Sequence, residues 1–165
     1  MYNLKDFSPL SQNGADWTAA FSAAFDKAEA TGGGTVFVPA GRYPTRSIRL
    51  RSHTVLHLDA GAVLDFLDDI ERYEVVETQF EGLPLKAYQS LLHAENAEHF
   101  AITGFGTING NGRRWWQEHL QGTLPYARPY LLHFANCRHI TLENVTLQNS
   151  PSWTVPPRFC DGMTG

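Results

Sequence analysis

The chain alternates apolar and polar residues in very short runs, and one such stretch is written twice. LLHAENAEHFAITGFGTING (91–110) and LLHFANCRHITLENVTLQNS (131–150) match at Leu91/Leu131, Leu92/Leu132, His93/His133, Asn96/Asn136 and His99/His139, all at an offset of 40. A slip of one residue then lays Thr107-Ile108 over Thr146-Leu147. In the second copy the runs Leu131–Phe134, Ile140–Leu142 and Val145–Leu147 read as three strands, with bends at 135–139 and 143–144. Three strands in roughly 20 residues cannot bury an apolar face alone and need a similar neighbour stacked on them. Stacking pairs each strand with its counterparts above and below, so the pattern predicts an all-β solenoid, a parallel β-helix. A β-sandwich would need longer strands joined by regular hairpin turns, and these are missing.

The same alternation runs upstream. Thr35–Pro39, Ser47–Ser52 and Thr54–Phe66 read as strands, with Ile48 and Leu50 facing one way and Arg49 and Arg51 the other. Ahead of them one helix is predicted from Trp17 to about Ala30. Asp16 is its N-cap, and Trp17, Phe21, Ala24, Phe25 and Ala28 share one face. Gly32-Gly33-Gly34 ends it. Such a helix can cover the apolar end of the stack. Two stretches break the pattern and read as excursions: an acidic, aromatic one near 67–89 with room for a short helix, and a loop near 113–128 carrying Trp115 and Trp116. The reading is therefore one domain over 1–165. Residues 1–34 form the N-terminal segment and cap, and 35–165 form the coils.

Composition narrows the picture modestly. The net charge is −4 and ten of thirteen cations are Arg, which argues against general nucleic-acid or anionic-membrane partners. No apolar run is long enough for a membrane span. MYNLKDFSPLSQNG lacks a basic start followed by an apolar stretch, so no secretory leader is predicted and a cytoplasmic location is expected. The two cysteines, Cys137 and Cys160, make no disulfide framework and read as reduced, partly buried thiols.

Candidate chemistry is sparse. The six-residue spacing of His93/His99 and His133/His139 fits no usual zinc pattern and reads as stacked imidazoles; no metal is expected. Asp68-Asp69 is the only acidic doublet, set in a solvated acidic stretch, while Asp59, Asp65 and Glu143 sit at strand ends or bends without a visible partner. The glycines at 104, 106, 110 and 112 have the wrong spacing for a nucleotide loop, with no phosphate-facing helix expected after them. Asn144-Val145-Thr146 is formally a glycosylation site but lies in a strand. Trp115, Trp116 and Trp153 are the candidates for stacking on sugar rings; packing against the flank of the solenoid is the favoured alternative.

Four blocks, GGGTVFVPAGRY (32–43), TVLHLDAGAVLDF (54–66), ITGFGTINGNGRRWW (102–116) and RPYLLHFANCRHITLENVTLQNSPSWTV (128–155), resemble the N-terminal half of a polygalacturonase-type glycoside hydrolase of family 28. The first block is shared widely among pectate-lyase-like proteins, and the last two are the more specific. The resemblance covers Leu4 to Asp161. It implies a right-handed parallel β-helix that hydrolyses pectic polysaccharides with inversion and no cofactor. Such chemistry needs a carboxylic acid, a separated carboxylate base, and a cation for the substrate carboxylate.

In that family these duties fall on Asn-Thr-Asp, Asp-Asp, Gly-His-Gly and Arg-x-Lys segments beyond the Ser-Pro-x-Trp motif, and none of them follows Trp153 here. Pro156 also stands where the family has His, and Phe159–Thr164 resembles the start of another coil. The resemblance thus implies a β-helix incomplete at its C-terminal end, with no catalytic residue in this chain and no activity on its own. Two other readings stay open: a non-catalytic carbohydrate-binding or structural β-helix, and a pectate-lyase-like eliminase using Ca²⁺.

Overall fold

The structure, a computed structural model, describes residues 1–152. Strand β1 (Tyr2–Asn3) and a 3-10 turn over Leu4–Leu10 lead into helix α1 (Thr18–Ala30). Trp17 occupies the N-cap position predicted for Asp16. Asp16 still does the capping, because its Oδ1 accepts from the Thr18 amide (3.0 Å) and hydroxyl (2.6 Å). Trp17, Phe21, Ala24, Phe25 and Ala28 are buried together against the first coil. Each phenylalanine removed from water there stabilises the cap by roughly 2–3 kcal/mol.

Four coils follow. The first holds β2 (Gly34–Val38), β3 (Gly41–Thr45) and β4 (Ile48–Arg49). The second holds β5 (Thr54–Leu58) and β6 (Ala62–Phe66), an inserted hairpin of β7 (Val75–Phe80) and β8 (Leu83–Tyr88), then β9 (Leu92–Glu95). The third runs β10 (Glu98–Gly104), β11 (Thr107–Asn109), helix α2 (Arg113–Gln121) and β12 (Leu132–Ala135). The fourth contributes β13 (Arg138–Leu142) and β14 (Thr146–Gln148). They stack into three parallel sheets: A (β1-β2-β5-β10-β13), B (β3-β6-β11-β14) and C (β4-β9-β12).

The doubled segment sets the register. Leu132 pairs with Leu92 and Ile140 with Phe100, both at the offset of 40 read from the sequence. Between Leu142 (opposite Ile102) and Thr146 (opposite Thr107) the later coil is one residue shorter, which is the slip seen in the sequence. Inward positions form columns through the coils: Val36, Leu56, Ile102 and Leu142 in sheet A, and Ile48, Leu92 and Leu132 in sheet C. Outward positions stack as well. His53, His99 and His139 all take left-handed φ near 54–61° and lie face to face, with centroids 5.7 and 4.4 Å apart, which bears out the stacked-imidazole expectation for His99 and His139. His93 and His133 pair in register instead, and His133 stacks on Tyr130. Cys137 is buried, with Sγ donating to the Ala135 carbonyl at 3.3 Å, whereas Cys160 lies outside the described residues.

Three local expectations are corrected. The stretch 113–128 is not a loop throughout: α2 starts after Gly112, is braced by Arg114 Nε donating to Glu118 Oε2 (2.7 Å, i,i+4), and ends at left-handed Gly122. Within 67–89 the short helix is only a 3-10 turn at Ile70–Arg72, and the bulk is the antiparallel hairpin. Arg51 does not face solvent like Arg49. It is 4 % exposed, with Nη1 donating to Asp26 (2.6 Å) and Glu29 (3.3 Å) of the cap helix, so it ties helix to coil. Both excursions leave the stack at one corner, between sheets B and C. No described helix is long and apolar enough to cross a membrane.

Candidate functional site

Sheet C turns Leu92 and Leu132 inward, so the alternation turns His93 and His133 outward, in register with each other and with Arg49. This outward column is the floor of a groove. The excursions are its wall, and they are built as one piece. The Tyr88 amide donates to the Ala127 carbonyl (3.0 Å) and the Ala127 amide to the Lys86 carbonyl (3.2 Å), joining hairpin to the segment after α2. Trp115 of α2 is wedged edge-on against Tyr73 (5.5 Å) and Tyr88 (5.1 Å), and Tyr88 meets Tyr126 at 5.7 Å. Between wall and floor lies a hollow of about 590 Å³ bordered by Thr78, Tyr88, His93, Arg128, Tyr130 and His133. A second hollow of about 580 Å³ shares Gln89 and His93 with it and continues toward Arg46, Arg49, Arg51 and Arg72. The groove therefore runs along sheet C and becomes arginine-rich at its N-terminal end.

These arginines are not equivalent. Arg46 is held by Asp16 and Asp69, with Nε 2.9 Å from Asp69 Oδ1. Burial works against ionisation of Asp69, but the Arg46 hydrogen bond and charge outweigh it and hold the carboxyl below its usual range. Arg51 is committed to the cap helix. Arg128 Nη1 donates to the Pro151 carbonyl at 3.1 Å, and other donors of its fork have no partner among the described residues. Arg49 is exposed and has no carboxylate partner among the described residues. Arg72 is likewise exposed and without a carboxylate partner among the described residues, but Arg49 is the one in register with His93 on the floor.

His93 sits between these charges. Burial, then the nearby Arg49, His133 and Arg51, push it down from 6.5 to about 4. It is therefore neutral in the folded protein at neutral and mildly acid pH, whereas in the unfolded chain it takes up a proton near 6.5. The unfolded state binds more protons between those values, so stability falls as the pH drops from about 6.5 to about 4. The contribution lost is up to about 3 kcal/mol. His93→Gln should show a flatter urea-unfolding profile than the wild type across that window. Parallel profiles would refute the assignment.

The structure separates the predicted tryptophans. Trp115 is fully buried in the wall and cannot stack on a sugar. Trp116 is 39 % exposed on the outer side of α2, with Nε1 donating to the Ser150 carbonyl at 2.8 Å. Trp153 lies outside the described residues. Asp65, expected to lack a partner, is buried and accepts from Arg42, Asn109 and Asn111. Asp69 is bound up with Arg46, and Asp68 is exposed. A helix does follow the glycines, contrary to expectation, but Gly112 is there for packing. A Cβ on it would lie 2.6 Å from the Ser150 carbonyl oxygen. The floor residues Arg49, His93 and His133 were not singled out as a site from sequence. Their signal was present in the repeat, since each follows an inward apolar residue at the same strand position.

A right-handed parallel β-helix, N-capped and carrying along one sheet a groove with arginines at one end, is the class that fold and site define. Family comparison places the chain within it: residues 74–165 match the model for glycosyl hydrolases family 28, and the chain belongs to that family. A probable polygalacturonase of Vitis vinifera is 38% identical over 95% of the chain. The chain spans 34% of that protein's length. Among solved structures, a hyperthermoactive exopolygalacturonase from Thermotoga maritima superposes with a TM-score of 0.83 at 30% identity, over 98% of this chain and 44% of that one. The polygalacturonase from Erwinia carotovora ssp. carotovora shares the fold, with a TM-score of 0.70 at 22% identity, over 88% of this chain and 43% of that one.

Proposed function

We propose that this chain forms the substrate-binding N-terminal portion of a polygalacturonase-like enzyme, and that the groove along sheet C receives an acidic pectic chain. The observation that carries the reading is the outward column Arg49–His93–His133, walled by the joined excursions. A uronate polymer presents one carboxylate per sugar. An exposed guanidinium with unspent donors is the group that meets it best, by charge and by bidentate geometry. His93, neutral over most of the pH range, presents a donor and an acceptor to sugar hydroxyls rather than a second charge. Tyr130, stacked on His133 at 5.3 Å, adds an amphipathic surface.

Inverting hydrolysis needs two carboxyl groups roughly 6.5–9.5 Å apart, one protonated and one ionised. Among the described residues the carboxylates bordering this groove, Asp26 on α1, Glu74 ahead of β7, Glu77 on the hairpin and Glu95 on β9, are all exposed. None is enclosed in the apolar surroundings that a general acid of this chemistry uses. We therefore assign these 165 residues binding without cleavage. By calorimetry the polypeptide should bind trigalacturonate, with affinity falling as salt rises. Arg49→Gln should weaken that binding about tenfold, the loss of one charge-assisted contact. Undiminished affinity in Arg49→Gln would move the site elsewhere. Release of reducing ends from polygalacturonate by the purified 165-residue polypeptide would overturn the binding-only assignment.

A further inference from the structure

A third hollow, of about 570 Å³, lies on the outside of sheet B and α2 and does not share a lining residue with the groove. Its floor is built rather than incidental. Asp65, paired outward from β6, is buried and accepts from Arg42, from Asn111 Nδ2 and from Asn109 Nδ2 (3.3 Å). Asn111 Nδ2 also donates to the Phe66 carbonyl (2.7 Å), and Asn149 Nδ2 to Asn109 Oδ1 (3.0 Å), so the amide ladder is fixed across three coils. One side is Trp116, whose indole is pinned by its bond to Ser150 and remains 39 % exposed. The rim carries Arg113 and Asp68, both exposed.

The charges balance. Arg42 is neutralised by Asp65, and the remaining cation and anion, Arg113 and Asp68, have opposite signs on one rim. A carboxylate entering there meets as much repulsion as attraction. An uncharged pyranose meets what it needs: an aromatic face for its C–H surface, and donors and acceptors held in place for its hydroxyls. The volume falls within the usual range for small-molecule sites and suits one or two sugar rings. We propose that this hollow is an accessory carbohydrate site for uncharged pyranose units, with Trp116 as platform and Arg42, Asn111, Arg113 and Asp68 as hydrogen-bonding groups. The proposal does not depend on the groove being the acidic-chain site. Side chains of neutral sugar on a pectic backbone have this chemistry, so the two sites would hold different parts of one polysaccharide.

The test is titration of the protein with β-1,4-galactotriose and, separately, with trigalacturonate, following the Trp116 indole N–H resonance. Galactotriose should shift that resonance saturably, with little dependence on salt. Trp116→Ala should abolish galactotriose binding, and Arg113→Gln should weaken it at least fivefold with an unchanged melting temperature. Arg49→Gln should leave it intact. No shift with galactotriose, or a shift produced by trigalacturonate alone, would overturn the proposal. So would galactotriose binding that survives both Trp116→Ala and Arg113→Gln. Loss of the galactotriose response in Arg49→Gln would show that Trp116 reports on the groove, and would overturn it too.

Discussion

Gly104→Ala is expected to cost more than about 4 kcal/mol, at the extreme of single substitutions, and to leave little cooperatively folded protein. Gly104 ends β10 with φ +99°, opposite Leu58 of the coil beneath. A Cβ built there lies 2.0 Å from the Leu58 carbonyl oxygen and 2.8 Å from its carbonyl carbon. Both are backbone atoms of the neighbouring strand, so no rotamer change relieves the overlap. Two coils would have to part where their inward columns are packed, and close-packed interiors yield little. Gly122→Ala is the control, because it shares a left-handed φ (+72°) but has nothing within 4 Å of its added Cβ. It should cost only about 1 kcal/mol, from the backbone conformation alone. Urea unfolding of both variants decides the matter; equal losses would show that conformation, and not coil contact, governs Gly104.

Trp115→Ala should cost about 3–5 kcal/mol, the usual range for a fully buried aromatic. Its second effect is more informative. Trp115 does not itself line the groove, yet it fills the space between Tyr73 and Tyr88, which do, and so holds α2 and the hairpin as a single wall. In the variant, the Tyr88 and Ala127 amides should exchange faster than the Phe100 and Ile102 amides of β10, and groove affinity for trigalacturonate should fall although Arg49 is untouched. Trp115→Phe, which keeps a ring in place, should recover most of both losses. Uniform exchange across wall and coils would show that the tryptophan stabilises the whole solenoid and not the wall.

Much of the scaffold was legible because a solenoid writes its tertiary contacts into its sequence. Residues at one position of successive coils are neighbours, so the offset of 40 between His93 and His133, and the slip at Thr146, are pairing registers before they are coordinates. The cap helix was legible for a different reason, an apolar face of period 3.6 with Asp16 ahead of it. The excursions escaped because they are inserted once each and borrow their order from contact. The apolar side chains of 75–88 alternate only loosely, and the hairpin is held by the strand it folds onto and by Ala127. α2 has one buried residue, Trp115, so it carries no apolar stripe to announce it.

The candidate sites divide the same way. By itself the sequence determined the parallel coils, their register and the capped end, since all of these follow from local period and repeat. Only the tertiary structure decided which tryptophan is buried and which exposed, that Arg51 turns inward while Arg49 stays open, and that Asp65 belongs to an amide ladder. Asp65 meets Asn109 one coil above, through side-chain geometry that alternation alone does not specify. The outcomes for Arg51 and the tryptophans depend on partners dozens of residues away outside the repeat: the cap helix for Arg51, the joined excursions for Trp115. A periodic pattern encodes neighbours one coil apart, and these partners stand at no fixed offset.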